Sequence, residues 1–180
     1  MNKKNNLVWI DLEMTGLDPE KDVILEIASI ITDEDLNIIT QGPSLVIHQP
    51  TSILDKMDSY VRKMHKTSGL LKKISSSTTT LKEAEDETLN FIKKHCLPET
   101  APLCGNSIWQ DRIFLSKYMK KIIDYLHYRM IDVTSFKEII TRWYPKDPYA
   151  FFEKKDTHRA LEDIEESIEE LRQYKCYFFR

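Results

Sequence analysis

The period of the apolar positions changes about a third of the way along the chain. Before residue 50 they lie in short, dense blocks; beyond it they recur at helical spacing. Residues 6–14 (NLVWIDLEM) predict a strand, 23–32 (VILEIASIIT) a second, and 37–49 (NIITQGPSLVIHQ) a third, bent at Gly42-Pro43. The connector DEDL at 33–36 is short enough for a hairpin, so the three strands form a meander. Both faces of the first strand begin apolar, Leu7 and Trp9 on one and Val8 and Ile10 on the other, which predicts an interior strand.

Later elements follow a helical period. Leu81, Ala84, Leu89, Ile92 and Cys96 fall on one stripe of a helix that follows the loop SSSTTT at 75–80. APLCGN (101–106) predicts a short strand, 108–121 a helix, YRMIDV (128–133) another strand, and TSFKEIITRWY a helix that stops before Pro145. THRALEDIEESIEELRQY is the last helix. The order of elements predicts one α/β domain over residues 1–180, with a mixed sheet that starts as a three-stranded meander and is flanked by helices.

Against this pattern, certain polar residues stand out. Asp11 and Glu13 lie two apart on the first strand, so both point to the face of Leu7 and Trp9. Two carboxylates on a half-buried face repel one another and lose hydration unless a positive charge lies between them. Either a metal ion supplies it, or the strand ends there and both acids reach water beside the turn TGLDP. Ser107 and Gln110 match a capping box, which puts Asp111 in the first turn of the following helix. The helix dipole favours an acid there, but Phe114, Leu115 and Tyr118 share its face, so Asp111 points inward. On the last helix the core stripe is Leu161, Ile164, Ile168 and Leu171, and Asp163 falls at its margin beside the small Ala160 and Ser167. Glu162, Glu166 and Glu169 lie opposite, as solvated acids do, and Glu170 is near the same edge as Asp163. His158 stands five residues before Asp163, and the two converge only if His158 lies in the loop or first turn, with Asp156 or Thr157 as N-cap.

Composition narrows the class. The chain has 180 residues, 41% hydrophobic and 31% charged, as in a globular domain. No apolar stretch is long enough to span a membrane, and MNKKNNLVWI enters its first strand too soon for a signal peptide, so a cytoplasmic location is expected. Cys96, Cys104 and Cys176 are odd in number and lack a CxxC spacing, which argues against disulfides and zinc-thiolate sites and for small buried hydrophobes. The net charge of −3 argues against a long grip on phosphates, although 72–74 and 117–121 offer local basic patches.

DLE in a first strand, an Asp opening a middle helix and HxxxxD at a C-terminal helix together resemble the DEDDh exonuclease superfamily, and within it the oligoribonucleases. The blocks WIDLEMTGLDPEKDVILEIASIITDEDLNII, CGNSIWQDRIFL and THRALEDIEESI carry the likeness, which runs from about residue 6 to 175. The resemblance implies an RNase H-like fold and a two-metal 3′→5′ exonuclease that releases 5′-mononucleotides from very short RNAs. It assigns Asp11, Glu13, Asp111 and Asp163 as ligands of two Mg²⁺ or Mn²⁺ ions and His158 as general base. The chemistry is coherent: hard cations take oxygen ligands, two of them stabilise attacking and leaving oxygens, and histidine titrates near neutral pH. Leu17 matches a position that wedges at the bases, and Tyr60 a position where the family uses tryptophan to stack a base. His65, Ser107, Arg129 and Thr134 match positions around the substrate's 5′ phosphate. The resemblance also implies a homodimer in which Tyr128 enters the partner's site. The rivals are another DEDDh branch (proofreading, or trimming of RNA 3′ ends) and a binding module without catalysis. The intact set of four acids and a histidine speaks against the second.

Overall fold

A computed structural model of the chain describes residues 3–154 and 158–179. Five strands form one sheet: β1 Leu7–Met14, β2 Ile24–Thr32, β3 Ile38–Val46, β4 Leu103–Gly105 and β5 Met130–Asp132, in the order β3-β2-β1-β4-β5. The meander is antiparallel, while β4 runs parallel to β1 and β5 parallel to β4. β1 is interior, as its two apolar faces predict. The bend in β3 is a bulge: Ala28 pairs with Ser44 and Ile30 with Gln41, so Gly42 and Pro43 together oppose Ser29. A Cβ on Gly42 would lie 2.4 Å from the Ser29 hydroxyl and 2.5 Å from the Phe91 ring, so the tight approach requires glycine.

Helices cover both faces. On one, Val8, Ile10, Leu12, Ile27 and Ile31 pack with α4 (Leu81–His95), α5 (Ile108–Tyr118) and α6 (Lys120–Tyr125). On the other, Trp9, Ala28, Ile30 and Cys104 pack with α7 (Val133–Trp143) and α8 (Ala160–Phe178). Trp9, fully buried, donates its indole N–H to Thr32 Oγ1 at 3.0 Å, so its polar atom is satisfied. Between β3 and α4 the chain forms α1 (Thr51–Leu54), α2 (Ser59–Thr67) and α3 (Leu70–Ser76), whose Leu54, Leu70 and Ile74 cluster on Leu25 of β2.

Four expectations need correction. The helix predicted over 108–121 breaks at Met119, where the carboxylate of Glu85 takes the Lys121 N–H at 2.8 Å and starts a new helix. The basic patch at 117–121 is neutralised, because Lys117 pairs with Glu20 and Lys121 with Glu85 and Asp86. Cys96 and Cys104 are buried, but Cys176 is exposed. Ser107 forms no capping box: its backbone is left-handed at φ 49°, and Gln110 turns away to donate to the Leu17 carbonyl at 2.8 Å. The capping box lies instead at Thr80 and Glu83, which start α4.

Candidate active site

β1 aims Asp11 and Glu13 at the α8 face, alongside Trp9. Asp163, in the first turn of α8, meets them there. One carboxylate oxygen from each of Asp11, Glu13 and Asp163 lies within 4.8 Å of the others. Asp111 arrives from the far side through strand geometry. β4 pairs with β1 only at Val8 and Trp9 and then turns into α5, so β1 runs on without a neighbour on that side. The Leu12 N–H, left open there, donates to Asp111 Oδ1 at 3.0 Å. One hydrogen bond thus satisfies a strand edge and anchors the fourth acid.

Electrostatics test whether a cation belongs here. Burial pushes the Asp11 carboxyl well above the usual range, and Asp111, Glu13 and Asp163 add repulsion. Glu13 is pushed up to about 8 by burial and by Asp163 and Glu26, against a smaller opposing pull from Arg159. Asp111 rises to about 7, chiefly by burial, although the Leu12 N–H opposes this. Burial also raises Asp163, with His158 opposing. Lys154, Arg159 and His158 therefore leave the repulsion uncompensated. A crowded, desolvated set of oxygen donors fits a hard divalent cation.

His158 lies in the chain entering α8, with a left-handed backbone at φ 51°. It borders an open groove of about 580 Å³, lined also by Tyr60, Lys63, Met64, Arg159 and Glu162. A charge on His158 opposes the rise at Asp163, so the two lie within electrostatic reach. The loop position it requires is the observed one. The N-cap residue is Arg159, whose side chain makes no capping bond, and Asp156 and Thr157 lie outside the described residues.

The residues matched to substrate positions divide by location. Tyr60, 73% exposed on α2, shares the groove with His158, and Leu17, 69% exposed, projects from the turn after β1. Ser107 and Thr134 are bonded to each other, Oγ to Oγ1 at 3.1 Å, and the Ser107 N–H donates to both Thr134 Oγ1 and Asp132 Oδ1. Arg129 lies over the exposed Tyr128 ring at 5.3 Å and donates from Nε to its hydroxyl. His65 does not join the groups around Ser107. It is 0% exposed, with Nε2 2.8 Å from the Met14 carbonyl and Nδ1 3.6 Å from Glu13 Oε2. A ring without exposed surface cannot touch a phosphate, so its place is behind Glu13.

Sequence reasoning missed a buried polar frame. Glu26, an acid inside the apolar run of β2, takes the Arg159 guanidinium in a two-pronged ion pair. Asn106 donates to Ser167 Oγ at 2.8 Å and Glu170 Oε2 at 3.0 Å, and accepts from Thr134 Oγ1 at 3.1 Å. Glu170 is fully buried, held also by Tyr174 and near Lys137 and Lys154. The only signal in sequence was an acid within apolar surroundings, in ILEIA for Glu26 and at the stripe's edge for Glu170.

Comparison with known proteins agrees with this geometry. A family model described as Exonuclease matches residues 8–171. The chain is 51% identical over 180 residues to an oligoribonuclease of Marinobacter nauticus, covering 100% of this chain and 99% of the relative. It is 50% identical to that of Haemophilus influenzae, covering 98% of this chain and 97% of the relative. Among solved structures, E. coli exonuclease I in complex with a dT13 oligonucleotide superposes with a TM-score of 0.71 at 13% identity, over 94% of this chain and 41% of that one. Exonuclease I of Methylocaldum szegediense gives 0.70 at 15% identity, over 96% and 41%. The chain spans about two fifths of these exonuclease I chains, and the likeness to them is one of fold.

Proposed function

Because the chain belongs to the oligoribonuclease family of exonucleases, 3′→5′ exoribonucleases acting on short RNA, we propose that it releases 5′-mononucleotides from RNAs of two to about five nucleotides at the Asp11 centre. The observation that carries this is the convergence of Asp11, Glu13 and Asp163 within 4.8 Å, with Asp111 bonded alongside to Leu12. These four would hold two divalent cations, Mg²⁺ or Mn²⁺. When bound, the ions neutralise charge on the attacking and leaving oxygens of the phosphodiester.

The chain's own residues do the rest. His158 takes the proton of the attacking water as the new P–O bond forms. The bond from phosphorus to the preceding 3′ oxygen breaks, and that oxygen takes a proton from solvent as it leaves. Tyr60 stacks a base in the groove beside His158, and Leu17 wedges against a base from the β1 turn. Arg129, Ser107 and Thr134 bracket the 5′ phosphate; Arg129 supplies the charge and the fork. A closed 5′ end favours the shortest chains. His65 supports Glu13 from behind. We further propose that residues 1–180 act as one catalytic unit in the cytoplasm and that the protein is a homodimer, with the exposed Tyr128 entering the partner's groove. Among the described residues, no helix is long and apolar enough to cross a membrane.

The test is a time course on 5′-labelled RNAs of two, five and twenty nucleotides, with Mn²⁺ and with EDTA. Fast, EDTA-sensitive loss of the dinucleotide, with the twenty-mer nearly untouched, is expected. Stepwise shortening of the twenty-mer that leaves the dinucleotide over would move the protein to a proofreading or trimming role.

A further inference from the structure

The residue after the proposed base is tied to the sheet in an unusual way. Glu26 is 0% exposed and lies directly across the β1–β2 ladder from Glu13, so a second carboxylate stands beside an already repulsive cluster. For stability alone, apolar side chains at Glu26 and its partner together would often serve as well. Both Glu26 oxygens instead accept from Arg159, Oε2 from Nε at 3.1 Å and Oε1 from Nη2 at 2.6 Å, and the Ser44 hydroxyl lies 3.4 Å from Oε1. Arg159 is the N-cap residue of α8 and makes no capping bond with its side chain; its carbonyl accepts the first helical bond, from Asp163 N at 3.0 Å. His158, immediately before it, holds a left-handed backbone that non-glycine residues seldom adopt unless their surroundings impose it.

We propose that the Glu26–Arg159 pair is a positioning device for the reaction: it fixes the backbone at Arg159 and thereby aims the His158 ring at the site. The inference rests on the reading of His158 as general base. A fork–fork pair suits this task, because two parallel bonds fix orientation as well as distance. Asp163 needs the clamp less, since α8 is independently seated by the buried Ala160, Ile164 and Ile168.

The test is a double-mutant cycle. Glu26→Gln is made alone and with His158→Ala, and kcat and KM are measured on a short RNA. Mn²⁺ affinity is measured by calorimetry. Glu26→Gln alone should lower kcat, read at saturating Mn²⁺, roughly tenfold or more, as small misplacements of a reacting group do, with KM unchanged. In the His158→Ala background it should cost nothing further. The same fold-loss in both backgrounds, or a loss that saturating Mn²⁺ removes, overturns the proposal while leaving the base reading intact. If His158→Ala alone keeps full activity, the base reading itself fails, and the proposal with it. Should Glu26→Gln not fold by circular dichroism, Arg159→Lys, which keeps the charge and loses the fork, carries the same cycle.

Discussion

Asp11 faces repulsion from Asp111, Glu13 and Asp163, and its replacement separates function from stability. Asp11→Asn removes a ligand and a charge, so turnover should be abolished; substantial activity would sink the metal assignment. The same change relieves like-charge crowding. The metal-free variant should therefore melt higher than the parent, and Mn²⁺ should stabilise it less, as differential scanning fluorimetry would reveal. His158→Ala should lower kcat on the order of 10²–10⁴-fold if the ring takes the proton, and a loss under about tenfold would count against that role. Arg129→Ala should impair dinucleotide cleavage far more than cleavage of a five-mer. Equal losses at both lengths would remove the argument for a bracketed 5′ end.

The elements explain why the acids meet. β4 has three residues where β1 has eight, and that shortfall opens the Leu12 N–H to Asp111 on α5. The helix starts differ in what holds them. α4 begins with reciprocal Thr80 and Glu83 bonds, so Thr80→Ala should cost about 1 kcal/mol, roughly 2–4 °C in Tm for a chain of this size, with kcat unchanged. α8 begins instead on Arg159, tied across to β2. One helix is closed by its own local sequence, the other by a strand more than a hundred residues away.

For the whole molecule, the raised acids set a pH dependence. A carboxyl such as Glu13, at about 8 when folded against a usual value near 4.5, keeps its proton in the folded state where the unfolded chain has lost it. Between those values the unfolded state binds fewer protons, so stability falls as pH rises. The metal-free protein should lose stability from about pH 5 to 8, by roughly a few kcal/mol, and Mg²⁺ or Mn²⁺ should restore it most at the upper end. Melting curves across that range, with and without EDTA, measure this; a flat or rising trend without metal would contradict it. The proposed dimer is tested by mixing inactive Asp11→Asn with Tyr128→Ala. If Tyr128 acts on the partner's site, randomly exchanged dimers regain activity at about a quarter of their sites; if it acts within its own chain, mixing restores nothing.

The sequence by itself determined the strands and the helices α4, α7 and α8, because their periods are local: alternation on β1, a 3.6-residue stripe on α4 and α8, and the glycine-proline bend in β3. It also marked Asp11, Glu13, Asp111 and Asp163, each an acid set against an apolar pattern, and His158 only through its place before Asp163 and the family order the five share. Their convergence, and the partners that hold them, were decided only by the tertiary structure. Glu26 announced that a buried charge needed a partner, but nothing local could say that the partner is Arg159. His65 looked like a substrate residue until packing sealed it behind Glu13. The Ser107 capping box failed because β5 and α7 brought Asp132 and Thr134 to its amide. Hydrogen bonds between residues far apart in the chain leave no period in it, and the frame of this site is made of such bonds.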